Sequence, residues 1–385
     1  MFLAGLQSSL LAVVATCFFA STTHAQPGQF TPYFVPAAVQ NGTSHAQFTS
    51  TVAGIDAPKV QPINASAWDW WYFDVVSADP TRVSSVVVIF FTSPQSGFPL
   101  IPPSGSGSNV ITTAHIFVSF PNGTLWSAAA DAEGASVEAG PGGGSSGTWI
   151  GTGFSWTGSP GSGYLIRVDA PDIGVTGTIN FRPTAPPHYP CGPVSAGQTL
   201  EVGPGIGWAN AIPDAVSVVD LNIDGTRLAF SGSGYHDKNW SNQVFTSLVG
   251  SWYWGHGRIG AYSIVWFDFL DPTGKEAVSA YVAKENKIIA TSCALGSITV
   301  RPTGQNATYP PVISTGNPSG YHIDFDLGCE GTLVVDVEVL GNIVVVNPEY
   351  GRFVGNMTGS VSPMEGEATT GLVGMALFEQ FKLTA

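Results

Sequence analysis

Apolar and polar positions alternate along this chain with the period of two that a β-strand imposes, in short runs separated by glycine or proline. AWDWWYFDVVSA, SSVVVIFFTS, NVITTAHIFVSF, GTWIGTGFSW, GYLIRVDA and GVTGTINFRP follow one another in this way, and helical periodicity is almost absent. After the loop PTAPPHYPCGP and the stretch LEVGPGIGWANAIPDAVSVVDLNID, a second series runs from GTRLAFSGSGYHDKNW to GLVGMALFEQFKL. The pattern predicts an all-β protein of two β-domains, residues 26–218 and 219–385, with the seam near 215–225.

Two strands carry an unusual mixture. Read as one alternating strand, SWYWGHGRIGAYSIVWFDF places Trp252, Trp254, His256, Arg258, Tyr262, Trp266 and Asp268 on one face. AWDWWYFDVV places Trp68, Trp70, Tyr72 and Asp74 on one face and Asp69, Trp71, Phe73 and Val75 on the other. Such aromatics either fill a core between sheets or wall a ligand cavity. Buried acids are costly unless hydrogen-bonded or functional, so acids in phase with the rings favour the cavity. We therefore expect Trp68, Trp70, Tyr72, Trp252, Trp254 and His256 to line one cavity shared by the two domains, with Trp71, Phe73 and Phe267 facing away. His115, alternating with Thr113 and Phe117, reads equally as a satisfied core histidine or a functional one.

Charge and composition narrow the partners. A net charge of −14 argues against nucleic acid or anionic membrane, which need cationic patches. Charged residues make up 10% of the chain and aromatics 11%, beside 47 glycines and 28 prolines, as expected for many strands joined by tight turns. The apolar run LLAVVATCFFA is too short to span a bilayer and reads as a secretory signal, residues 1–25, cleaved after Ala25. Sequons at Asn41, Asn64, Asn122, Asn306 and Asn356 lie in turn-like contexts and are expected to carry glycans in a secreted or vacuolar protein; a sixth, at Asn239 among aromatic and charged residues, is not. Of Cys191, Cys293 and Cys329, which remain after cleavage, a hairpin centred on Pro311 would bring Cys293 opposite Cys329 as a disulfide, the alternative being three reduced thiols. No cysteine and histidine spacing fits zinc, and there is no G-x-S-x-G.

SGSGYHDKNW resembles the G-x-G-Y-x-D-H-N-W type motif of the lipocalin-like proteins grouped with hydroxyneurosporene synthase. AWDWWYFD resembles the W-W-Y-F motif that opens the same family, and GMALFEQF its closing strand. The fungal branch contains kievitone hydratase and the Diels-Alderases of secondary metabolism. Tyr235, His236, Asp237, Asn239 and Trp240 match the motif, and Lys238 stands where it usually has His.

The resemblance implies two lipocalin-like β-sandwich or β-barrel domains with a pocket at or near their interface, a small apolar, polyene or tropolone substrate, and no cofactor. With the secretory features it is nearest to the hetero-Diels-Alderases of tropolonic sesquiterpenoid biosynthesis. The expected reaction is dehydration of a hydroxymethyl tropolone to a quinone methide that adds to a humulene-type alkene. Asp237 or His256, then Asp74, are the candidate acids. Trp68, Trp70, Tyr72, His115, Tyr235, His236, Trp252, Trp254, Arg258, Tyr262 and Trp266 are the candidate substrate contacts. A hydratase acting on a prenylated phenolic, and a carrier without turnover, are the alternatives.

Overall fold

The computed structural model describes residues 30–51, 54–101, 110–305, 307–346 and 348–385. The expected signal segment and Asn306 lie outside the described residues. Among the described residues the chain forms two large antiparallel sheets, one of fifteen strands and one of nine. None of their helices is long and apolar enough to cross a membrane.

The centre of the first sheet explains its sequence. Thr226–Ser241 pairs with Trp68–Ser77, which pairs with Ser85–Thr92, which pairs with Thr112–Ser119. These last three strands are buried along their whole length, so neither face meets solvent. One face, with Trp71, Phe73, Phe90, Trp149 and Trp156, closes on the curl of its own sheet. The other, with Trp68, Trp70, Tyr72 and Phe91, packs against Trp252, Trp254, Phe267 and Phe381 of the second sheet. The second sheet has its own core on its far face, around Tyr253, Trp266, Tyr321 and Phe378. Three aromatic cores, the middle one shared between sheets, account for a chain with more aromatic than charged residues.

Three expectations are corrected. First, the seam at 218/219 falls inside the strand Ile206–Ile223, which pairs with Thr226–Ser241 within the first sheet. The punctuation at Asp224–Gly225 is a two-residue hairpin turn with both φ angles positive, at 48° and 80°, and not a domain boundary. The chain changes sheets between Ser241 and Ser251.

Second, SWYWGHGRIGAYSIVWFDF is a hairpin, not one strand. Ser251–Ile259 and Tyr262–Leu270 are joined at Gly260–Ala261, and Trp252 pairs with Phe269 and Trp254 with Phe267. Across that register an even-numbered residue faces an odd-numbered one, so the face of Trp252 and Trp254 continues as Val265, Phe267 and Phe269. Tyr262 and Trp266 lie in the far core. Trp71 and Phe73 face away from the shared core as expected, whereas Phe267 lies within it.

Third, the disulfide joins Cys191 to Cys293, and Cys329 is free and exposed. The hairpin about Pro311 does form, Ile298 pairing with Phe325 and Thr303 with Gly320. Its ladder stops there: a turn in which the Ser297 N–H donates to the Ala294 carbonyl redirects the chain into the strand Lys287–Ser292. Cys293 is thereby carried beside the loop that holds Cys191.

Candidate active site

Alternation divides the YHDKNW segment between two cores. His236, Lys238 and Trp240 point into the first sheet's own core: His236 Nε2 lies 3.0 Å from Asp56 Oδ1 and the ring stacks on Phe73, and Lys238 donates to Asp69 at 2.7 Å. Tyr235, Asp237 and Asn239 point the other way, toward the second sheet. Asp237 pairs across the ladder with Tyr72, and Asn239 with Trp70.

Between the sheets lies a narrow cavity of about 60 Å³. Trp70, Tyr72, Phe91, Phe98 and Phe117 wall it from the first sheet's half, Trp252, Trp254, Phe267 and Phe381 from the second. Four other lining residues give it polar character: Asp237, Asn239, Arg352 and Glu379.

Asp237 is buried, yet it keeps three donors. Trp208 Nε1 at 2.7 Å and the Tyr235 hydroxyl at 2.8 Å donate to Oδ2, and Asn239 Nδ2 donates to Oδ1 at 2.9 Å. Burial pushes its carboxyl up to about 7, against the lowering pull of the Trp208 and Tyr235 bonds. A carboxyl group has about four acceptor positions, so Oδ1 retains one that can carry a proton or meet a ligand. On the opposite wall Glu379 accepts from Trp252 Nε1 at 3.0 Å, from the Tyr350 hydroxyl at 2.6 Å and from Arg352 Nε and Nη2 at 3.3 and 3.2 Å.

Of the expected site residues the structure brings Trp70, Tyr72, Trp252, Trp254 and Asp237 to one cavity. Trp68 backs that wall, stacked at 4.6 Å on Trp70 with Nε1 bonded to the Gln243 carbonyl. Tyr235 and His256 stack on one another behind it, and His256 Nε2 meets the two Asp74 oxygens at 2.8 and 3.0 Å. This pair is fully buried and does not border the cavity.

The remaining candidates lie elsewhere. His115 bonds Thr113 beside Phe91 and Phe117, and burial lowers its imidazole to about 4, so it is neutral near pH 7. Arg258 lies farther along its strand, its guanidinium on Asp214 at 2.7 and 2.8 Å. His236, Tyr262 and Trp266 are in other cores, for the reasons of alternation and register given above. Sequence reasoning missed Tyr350, Arg352 and Glu379. Tyr350 and Arg352 share one face of EYGRF, and Glu379 sits in FEQF, but nothing in one sequence shows that these strands close on Trp252.

A sequence model of the Diels-Alderase-like family matches residues 37–300. The quinolone epoxide rearrangement protein of Emericella nidulans is 40% identical over 295 residues, 76% of this chain and 79% of that one. The quinolone epoxide rearrangement protein of Penicillium thymicola is 35% identical over 370 residues, 93% of this chain and 99% of that one. The crystal structure of CghA with Sch210972 superposes with a TM-score of 0.72 at 20% identity, covering 92% of this chain and 99% of CghA, and establishes the shared fold. The chain belongs to the Diels-Alderase-like family.

Proposed function

We propose that the protein is a secondary-metabolite enzyme of the cyclase and rearrangement type that isomerises an epoxide borne on a flat aromatic heterocycle of the quinolone kind. The observation that carries this reading is Asp237, a carboxyl group held near neutrality inside a cavity walled by aromatic rings. The likeness to two quinolone epoxide rearrangement proteins, one of them over 93% of this chain, supports the substrate. The tropolone and humulene pair expected from the sequence draws no support from those relatives.

An epoxide opens when its oxygen receives a proton and the positive charge that develops on carbon is stabilised. Asp237 supplies the proton from Oδ1. The faces of Trp70, Trp252, Trp254 and Tyr72 stabilise the cation through their ring quadrupoles and exclude the water that would trap it as a diol. Migration of a neighbouring group to the cationic carbon, or attack by an internal nucleophile, then closes the product, and a proton returns to Asp237. The step is an isomerisation, so atoms and electrons balance with no oxidant or reductant.

The test is incubation of purified protein with an epoxide-bearing aryl quinolone, products being followed by mass spectrometry and chromatography. A new product of unchanged mass is expected, and Asp237→Asn should slow it by about 10²–10⁴-fold, the usual worth of a positioned acid. No isomer above the buffer rate, or a folded Asp237→Asn variant turning over at the parent rate, overturns the reading.

Passage through a secretory route is part of the same proposal. The Cys191–Cys293 disulfide and the signal-like run favour an oxidising compartment. Asn41 and Asn122 are exposed, Asn64 and Asn356 are half-buried, and Asn239 is buried with its amide on Asp237. Glycans are expected at Asn41 and Asn122 and not at Asn239, which intact mass and peptide mapping before and after glycosidase treatment would check.

A further inference from the structure

The cavity has a second polar pole that the acid step leaves unused. Arg352 is fixed from behind: Nε and Nη2 both donate to Glu379, which Tyr350 and Trp252 hold in turn. Nη1 takes no part in these bonds, and only 7% of the side chain is exposed. The guanidinium carbon lies 5.1 Å from the centre of the Tyr72 ring. The Tyr72 hydroxyl is buried with no hydrogen-bond partner among the described residues. A buried hydroxyl left unpaired costs about 1–3 kcal/mol, so the Tyr72 hydroxyl favours a hydrogen-bonding partner.

The guanidinium only donates and the phenol can donate, so a group that accepts can be held by both. Burial holds the Tyr72 phenol well above its ordinary value, so it keeps its proton. The pole is not a receptor for an anion, because Glu379 already neutralises Arg352 and Asp237 stands across the ladder from Tyr72. A neutral carbonyl oxygen has two lone pairs and fits one donor from each residue. The flat walls of Trp70, Phe91 and Phe98 suit a carbonyl set in a planar ring.

We propose that Arg352 and Tyr72 form a receptor for the carbonyl oxygen of a lactam or comparable ring amide, which makes the substrate class an epoxide attached to a ring that carries such a carbonyl. This deepens the epoxide reading and rests on it for the reaction, but not for the binding. With the carbonyl seated on Arg352 and Tyr72, the reacting side of the ring is directed to Asp237, which pairs with Tyr72 across the strands. The two donors also draw electron density to the carbonyl oxygen as charge develops.

The probes are 2-quinolone, which has the carbonyl and no epoxide, and quinoline, which lacks both; binding is read from quenching of tryptophan fluorescence. The parent protein should bind 2-quinolone about tenfold more tightly than quinoline, the difference one hydrogen bond to a charged group makes. Tyr72→Phe, and separately the pair Arg352→Met with Glu379→Gln, should each reduce that preference, read as the ratio of the two affinities within each variant. The paired variant avoids leaving Glu379 buried without its cation; should it fail to fold, Tyr72→Phe decides alone. Equal binding of the two probes by the parent protein overturns the proposal, and would mean that water serves this pole. So would retention of the full preference in folded variants. Failure of the epoxide reading is distinguishable, because it leaves the binding preference intact while no isomer forms.

Discussion

Asp237 accepts three hydrogen bonds and is still pushed up to about 7, so burial outweighs the donors, and that balance sets a pH dependence. As the acid it works only when protonated, and kcat/KM should fall as pH rises through about 7. Trp208 donates to the ionised form, and Trp208→Phe should therefore move the falling limb to higher pH. A limb that stays in place would show that another group controls it. Stability moves in the same sense: a carboxyl whose folded value exceeds its ordinary one destabilises the fold increasingly as pH rises from about 4 to about 7, and Asp237→Asn should flatten that part of the curve in urea melts. On the opposite face of the same strand, Lys238 and Asp69 form a fully buried pair, and Lys238 also lies 3.1 Å over the Trp71 ring. Burial lowers Lys238 to about 8 and raises Asp69. Lys238→Met alone should destabilise by about 3–5 kcal/mol, because it strands Asp69, while Lys238→Met with Asp69→Asn should recover much of the loss. Equal losses in single and paired variants would refute the pairing argument.

At the scale of strands, what the sequence made legible was phase within one element, and what it hid was register between elements. Trp70 and Tyr72 are found together on the cavity wall because alternation holds along Trp68–Ser77. The same rule, applied to YHDKNW, would have separated His236 from Tyr235 and Asp237. The hairpin at Gly260 was the harder case: a two-residue turn exchanges the parity of every residue after it, and its glycine, at φ 57°, was the only mark in the sequence. Gly255 in that hairpin has a packing role. A Cβ there would lie 2.2 Å from the Trp266 ring and 2.6 Å from the Phe378 Cβ, on the face away from the cavity. Gly255→Ala should cost about 1–3 kcal/mol of stability by overpacking, seen as a lower urea midpoint, with the rate per folded molecule retained. Loss of rate without loss of stability would mean that the far core and the cavity are coupled.

At the scale of the molecule, the motifs identified the family and the two-sheet architecture, but the closure of one sheet on the other depends on contacts between residues far apart in sequence. The cavity walls come from both sheets, so its shape requires the sheets to hold their relation. The segment 184–193 is paired to the first sheet at His188, opposite Asn210, and also lies along the second: Tyr281 donates to the Pro186 carbonyl at 2.7 Å, Ser279 to the Pro190 carbonyl at 2.6 Å, and His188 stacks on Tyr281 at 4.1 Å. Cys191–Cys293 closes this strap covalently across a sequence separation of 102. A crosslink over so long a loop restricts the unfolded chain strongly, and removing a native disulfide typically costs about 2–5 kcal/mol. Cys191→Ser with Cys293→Ser should therefore lower Tm by several degrees, whereas Cys329→Ser, at an exposed turn, should leave it unchanged. Maleimide labelling of the native, unreduced protein followed by peptide mapping separates this pairing from the one expected from the hairpin. Label on Cys329 with Cys191 protected supports the strap, and label on Cys191 with Cys329 protected would restore the Cys293–Cys329 bridge and remove the covalent tie between the sheets.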